Sequence, residues 1–145
     1  MKYFLFIIII AASISLKAQS NWNTYQQNGY NLELPDYFLP VASQDASTDV
    51  FSNTENKGIT LKVENKPLDK LSFNSKYISE IGNSGVTYKL IKDTVYTVSF
   101  TTNSAINYHK SFWSNGMVHS LIISYPNNKK SQFDLILQRI GRSFK

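Results

Sequence analysis

The 145-residue chain contains no cysteine. That excludes a disulfide framework, a thiolate metal site and the lipid-bearing cysteine of a bacterial lipoprotein. The fold must instead be held by its apolar core, for which 14% aromatic residues give ample material. Histidine is nearly as scarce, with His109 and His119 the only two. Runs of like charge are missing as well. Lys129-Lys130 is the only adjacent basic pair, and Lys57, Lys62, Lys66, Lys70 and Lys76 alternate with Glu55, Glu64, Asp69 and Glu80. Interleaved signs make a solvated surface and not a phosphate-binding stripe, so nucleic acid is not an expected partner. No repeat, low-complexity tract or second compositional regime follows residue 19.

The one long apolar run lies at the start. Met1-Lys2 provides a short positive segment, residues 3–14 (YFLFIIIIAASI) an apolar stretch of signal-peptide length, and Leu16-Lys17-Ala18 a small residue at the cut. About a dozen apolar residues fall short of the roughly 20 that a membrane span needs. A signal peptide over residues 1–18 is therefore expected, cut after Ala18 to leave Gln19 first, with a cut after Ser15 as the alternative. The product would be exported and soluble, in the periplasm or outside the cell, with no stable membrane insertion after cleavage. Its 145 − 18 = 127 residues suit a single domain with one core, and loss of Lys2 and Lys17 takes the formal charge from +5 to +3.

From Trp22 the pattern is strand, turn, strand: residues 22–27, Asn28-Gly29, then 30–34 before Pro35. Asn-Gly suits a two-residue hairpin whose central positions both need φ > 0. Residues 40–48 read as a polar loop, and short strands at 50–51 and 58–63 flank a turn at 52–57. Within the second, Ile59, Leu61 and Val63 alternate with Thr60 and Lys62, as in a half-buried strand. Residues 68–81 place Phe73, Tyr77 and Ile81 on one helical face, with Ser72 as the expected N-cap and Gly82 to Gly85 as the stop. Strands at 86–91, 94–100, 106–113 and 117–125 follow.

The last of these hairpins fixes its own register. With Asn115-Gly116 as the central turn pair, Trp113 opposes Val118, Phe112 opposes His119 and Lys110 opposes Leu121. One face then carries Ile106, Tyr108, Phe112, Leu121, Ile123 and Tyr125, and the other His109, Ser111, Trp113, Val118, Ser120 and Ile122. A one-residue slip would set a rich face against a poor one. Beyond Pro126, Ser131 and Asp134 read as a capping box. Phe133, Ile136, Leu137, Ile140 and Phe144 then form a helical stripe expected to lie across the apolar face of this hairpin.

The runs VTYKLIKDTVYTVSF, YHKSFWSNGMVHSLIISYP and FDLILQRIGRSFK resemble the C-terminal half of bacterial PsbP-like domains, and NGYNLELPDYF resembles the opening of the same group. Residues 41–84 match only loosely. The resemblance implies an exported PsbP-like domain with the α/β sandwich shared by PsbP, the Ran-binding Mog proteins and the DcrB-type bacterial proteins. It also implies action by binding other proteins. The Lys17-Ala18-Gln19 ending and the many Ile, Asn and Lys resemble exported proteins of the Bacteroidota. The matching positions are sheet and helix positions, so no functional residue is carried over.

Chemistry-bearing constellations are nearly absent. Gly82-Asn83-Ser84-Gly85 follows a helix, whereas a nucleophile elbow follows a strand. Asp45, Asp49 and Glu55 lack calcium-loop spacing. His109 and His119 point to opposite sheet faces in this register and cannot share one metal ion. No catalytic residue, metal ligand or cofactor is assigned. The expected fold is α+β: a mainly antiparallel sheet of six to seven strands with a mid-chain and a C-terminal helix, in one domain over residues 19–145. The expected role is a non-enzymatic binding or accessory protein of the cell envelope whose partner is another envelope protein. An immunity or inhibitor protein and an enzyme of unrecognised type are the alternatives. The one candidate surface is the poorer sheet face with Trp113, His109, Val118 and Ile122, either covered by the helix at 68–81 or left partly open for a partner.

Overall fold

A computed structural model of the chain describes residues 21–145; the leader expected over residues 1–18 and its cut after Ala18 lie outside them. Asn28 and Gly29 take φ of 49° and 86° and fold β1 (Trp22–Gln27) back onto β2 (Tyr30–Pro35). Asn115 and Gly116, at 50° and 77°, do the same for β8 (Ala105–Ser114) and β9 (Met117–Pro126). In both turns the residue types that tolerate positive φ stand where the twist of a tight hairpin requires it. The β8–β9 register is the expected one, with Trp113 opposite Val118, Phe112 opposite His119 and Lys110 opposite Leu121.

The remaining strands are β3 (Phe38–Val41), β4 (Thr48–Asn53), β5 (Thr60–Pro67), β6 (Val86–Lys92) and β7 (Val95–Thr101). With β8 and β9 they form a seven-stranded antiparallel sheet in the order β3-β4-β5-β9-β8-β7-β6, while β1 and β2 make a separate two-stranded sheet. Residues 40–48 are therefore not one long loop. Phe38–Val41 pairs with β4, and Pro40, which lacks an N–H, is tolerated because β3 lies at the sheet edge. That pairing is held by the backbone and leaves no alternating pattern to read.

Two helices close the sandwich. The mid-chain α1 (Lys70–Ile81) is capped by Asp69, whose carboxylate accepts the Ser72 N–H at 2.9 Å and the Ser72 hydroxyl at 2.7 Å. The expected cap, Ser72, is thus three positions into the helix, and the better-placed carboxylate takes the role. The C-terminal α2 (Lys130–Ser143) follows a 3-10 turn at Asn127–Lys129 and has no side-chain cap. The turn brings Ser131 inside the first turn of α2, so the expected capping box does not form. Asp134 instead accepts from the Tyr125 hydroxyl at 3.0 Å and from Lys130.

Each face of the sheet has its own core. On one, the β1–β2 hairpin and α2 lie side by side over Phe51, Leu61, Ile123 and Tyr125, contributing Leu32, Leu34, Phe133, Ile140 and Phe144. Asn31 and Lys145 exchange backbone hydrogen bonds (2.8 and 3.3 Å), and the Ser143 hydroxyl accepts from the Glu33 N–H at 2.8 Å, which seals the hairpin to the end of α2. On the other, α1 sets Phe73 against Tyr96, Val98 and Val118, with Tyr77, Ile81 and Trp113 packed around them. No helix among the described residues is long and apolar enough to cross a membrane.

Candidate functional site

The face carrying Trp113, His109, Val118 and Ile122 is mostly roofed by α1. Val118 is 4% exposed. Trp113 is half-buried, and its indole N–H donates to the Leu68 carbonyl at 2.6 Å, pinning the start of α1 to the β8–β9 turn. His109 is half-buried at the far end of the helix, with Nδ1 3.1 Å from the Glu80 carboxylate. Ile122, an apolar side chain, belongs to neither core. It lies in a row with Val41, Val50, Lys62 and His109 across the sheet, on the β3–β5 side where, among the described residues, no helix packs closely on this face.

Beneath α1 runs a chain of polar side chains. Glu80 accepts from the Tyr96 hydroxyl at 3.0 Å and pairs with His109 and with Lys76 at 3.4 Å. Lys76 in turn donates to Ser120 Oγ at 3.0 Å, and Ser111 donates to the same oxygen at 2.8 Å. Burial works against ionisation of Glu80, but the hydrogen bond and charge of His109, the Lys76 ammonium and the Tyr96 hydroxyl together hold its carboxyl below the usual range. Burial, reinforced by Glu80, raises the Tyr96 phenol. A serine beside a lysine is the raw material of an acyl-transfer dyad. Here Lys76 is a donor to Ser120 and is shared with Glu80, while Ser111 and Ser120 are 0% and 2% exposed, so no substrate carbonyl reaches either hydroxyl. The cluster fastens α1 to the sheet.

His119 faces the opposite way, as the register requires. Its ring stacks on Phe112 with centroids 4.7 Å apart, and Nδ1 lies 2.8 Å from Asn65 Oδ1. Asn65 donates to Asp49, which also accepts from Asn28 and the Tyr30 hydroxyl. Desolvation lowers the imidazole pKa, so His119 is a neutral core group. Asp45, by contrast, spends its carboxylate on Ser47 and Thr48 in a local turn. Among the described residues no group of three His, Cys, Asp or Glu side chains is placed to hold a metal ion.

The feature that pattern reading did not find lies on the α2 side, at the opposite edge from β3. A row of paired residues shows it: Phe51, Leu61 and Ile123 are 1%, 1% and 0% exposed, Tyr108 is half-buried, and Tyr88 on β6 is 50% exposed. The helix cover ends at β8. Beyond it lies an open groove of about 680 Å³, with Val95, Thr97 and Tyr108 in its floor, Leu137, Gly141 and Arg142 of α2 along one wall, and Tyr88, Leu90 and Lys92 at the rim. Its depth depends on Gly141, where an added Cβ would meet the Tyr108 hydroxyl at 2.5 Å. Desolvation pushes the Tyr108 phenol up to about 12, so it stays neutral. Lys110 donates from the floor to the Gly141 and Phe144 carbonyls at 2.7 and 2.8 Å, capping the end of α2. Burial, with Lys145 nearby, lowers its ammonium pKa.

One sequence signal did point here. Residues 86–92 carry large apolar side chains on both faces, Tyr88 and Leu90 on one and Ile91 on the other, although β6 is an edge strand. All three are exposed, at 50%, 51% and 41%. A single surface apolar residue is ordinary, whereas Tyr88 and Leu90 are neighbours on the groove side and Ile91 lies on the reverse face.

No protein-family model matches the chain, and no curated protein matches it. Among solved structures, it is similar to the solution structure of cyanobacterial PsbP (CyanoP) from Synechocystis sp. PCC 6803, with a TM-score of 0.65 over 93% of this chain and 98% of that one. Sequence identity is 12%. The likeness is one of fold: the seven-stranded antiparallel sheet, the mid-chain helix and the C-terminal helix form a PsbP-like α/β sandwich.

Proposed function

We propose that this chain is an exported binding or accessory protein that acts through protein–protein contacts in the cell envelope and performs no catalysis of its own. The observation that carries this reading is the flank of β6, where Tyr88 and Leu90 stay exposed beside the α2 groove and Ile91 stays exposed on the other face. Burying such side chains against a partner stabilises the complex by roughly 25 cal/mol per Å² of apolar area removed from water. The Lys76–Ser120–Glu80 cluster supports the non-enzymatic part, because its serine hydroxyls are buried and Lys76 donates to Ser120 instead of accepting its proton. The apolar leader at residues 3–14 supports export, and the PsbP-like fold agrees with a role in binding. Ile122, on the open half of the other face, keeps the surface expected from sequence as a second contact region.

The test is site-specific photocrosslinking in cells, with a benzophenone amino acid at Leu90, at Ile122 and at Glu55 as a control. A discrete adduct from Leu90 or Ile122 in the envelope fraction, on a chain beginning at Gln19, is the expected result. An intact Met1 in the membrane fraction would overturn export. Turnover of a hydrolase substrate panel by the purified protein would overturn the non-enzymatic reading.

A further inference from the structure

β6 and β3 are the two ends of the main sheet, and they differ in a way that bears on recognition. β3 has four residues, one of them Pro40, and is thereby blunted against further pairing. β6 has seven residues, no proline and, among the described residues, an unpaired outer edge. Its irregularity between Val86 and Tyr88 confines regular pairing to residues 88–92. Tyr88, Leu90 and Lys92 face the groove, while Lys89, beside Val98, and Ile91 lie on the opposite face. Among the described residues neither Lys89 nor Lys92 has a carboxylate partner. Lys89 also decides what the edge refuses. The antiparallel self-pairing that sets Tyr88 against Leu90 sets Lys89 against Lys89, and like charges directly opposite are unfavourable.

We propose that β6 accepts an extended segment of a partner protein as an eighth strand of the sheet, and that this segment alternates apolar and acidic residues. The inference rests on the binding role proposed above and names its mode and its chemistry. Main-chain hydrogen bonds to residues 88–92 supply affinity, and alternate side chains supply specificity. The apolar set leans over Tyr88 and Leu90 and forms the missing outer wall of the groove, opposite Leu137. The acidic set lies on the other face against Lys89.

Nine-residue peptides test this directly: one alternating valine with glutamate, one alternating valine with lysine, and a valine–glutamate peptide N-methylated at every second residue. They are titrated into ¹⁵N-labelled protein at low salt. The glutamate peptide should shift amides of β6, β7 and the adjoining face of α2, and bind at least about tenfold more tightly than the lysine peptide. N-methylation should abolish binding, since it removes ladder donors. Leu90→Glu should weaken it at least tenfold; Lys89→Glu, a surface change that leaves the fold intact, should invert the preference between the two peptides. Equal binding of both peptides, shifts that map elsewhere, a Lys89→Glu protein with unchanged preference, or no shifts at about 1 mM peptide would each overturn the proposal. Concentration-dependent dimerisation lost in Leu90→Glu would overturn it in favour of a second copy of the chain. A cellular adduct formed through Ile122 but not Leu90 would remove strand addition at β6 and leave the accessory role standing.

Discussion

Gly141→Ala is the sharpest probe of how closely α2 sits on the sheet. In an exposed helix this substitution stabilises by about 1 kcal/mol, because alanine loses less backbone entropy than glycine. At Gly141 a Cβ would lie 2.5 Å from the Tyr108 hydroxyl oxygen and 3.3 Å from the ring carbon that bears it. Forcing a methyl group into a filled site costs about 1–3 kcal/mol. The Tyr108 ring is rigid beyond Cβ and half-buried, so relief requires α2 to lift or the ring to tilt. The steric term should win, leaving a net loss of about 1–2 kcal/mol and a fall of about 3–6 °C in melting temperature. Tyr108→Phe removes the closest atom and leaves the 3.3 Å contact. In that background Gly141→Ala should be neutral or stabilising by up to about 1 kcal/mol. Thermal and urea unfolding of the four proteins closes a double-mutant cycle whose coupling should be about 1–3 kcal/mol. If Gly141→Ala raises the melting temperature while Tyr108 keeps its hydroxyl, α2 is not seated on β8 as described and the groove floor is misplaced.

Acid should act on this fold in two separable windows. Burial lowers the His119 pKa below 6.5, so the unfolded chain takes up that proton first; stability holds above about 6.5 and falls as pH drops below it, and His119→Gln should flatten this limb. Glu80 is lowered from 4.5, so its contribution is present above 4.5 and is lost as pH falls through the lowered value; Glu80→Gln should flatten that limb only. Urea midpoints between pH 8 and 3 measure both, and unchanged slopes in the variants would refute the assignments. Trp113→Ala should destabilise by about 2–3 kcal/mol through lost packing and the lost bond to Leu68. A wild-type melt with impaired partner binding would instead make Trp113 a surface anchor. Gly116→Ala, at φ 77° with open space around it, should cost about 1 kcal/mol. Gly85→Ala, at the same φ but with its Cβ 2.3 Å from the Thr101 carbonyl, should cost clearly more, and equal losses would refute the packing around β6.

The parts of the fold that were legible in the sequence are those with local determinants. The β8–β9 register followed from two positive-φ residues and a two-face pattern, and the α2 stripe followed from helical spacing. What was illegible depends on partners distant in the chain. Phe38–Val41 has no alternating signature, because only its pairing with β4 makes it a strand. Ser72 and Ser131 both satisfy a cap pattern, yet the caps are decided by Asp69 one turn earlier and by the 3-10 turn after Pro126. The cover over Trp113 and Val118 could not be read either, since an amphipathic helix shows which of its faces is buried but not against which side of a sheet.

The groove is a consequence of how much cover the chain possesses. Adjacent strands lie about 4.8 Å apart and a helix is about 10 Å across, so one helix shields two to three strands. On the α2 side, the β1–β2 hairpin lies over the β4–β5 half and α2 over β9 and β8. Nothing among the described residues remains to cover β7 and β6 there. A chain selected only for stability would make that flank polar. Here Thr97 and Lys110 are polar, but Tyr88, Leu90 and Val95 are not, and Lys89 sits so as to repel a second copy paired in that register. An apolar flank guarded by like charge is stable alone and incomplete alone. It is completed most favourably by a strand that brings carboxylates with its apolar side chains, and the preference for valine–glutamate over valine–lysine peptides, with its inversion by Lys89→Glu, measures that directly.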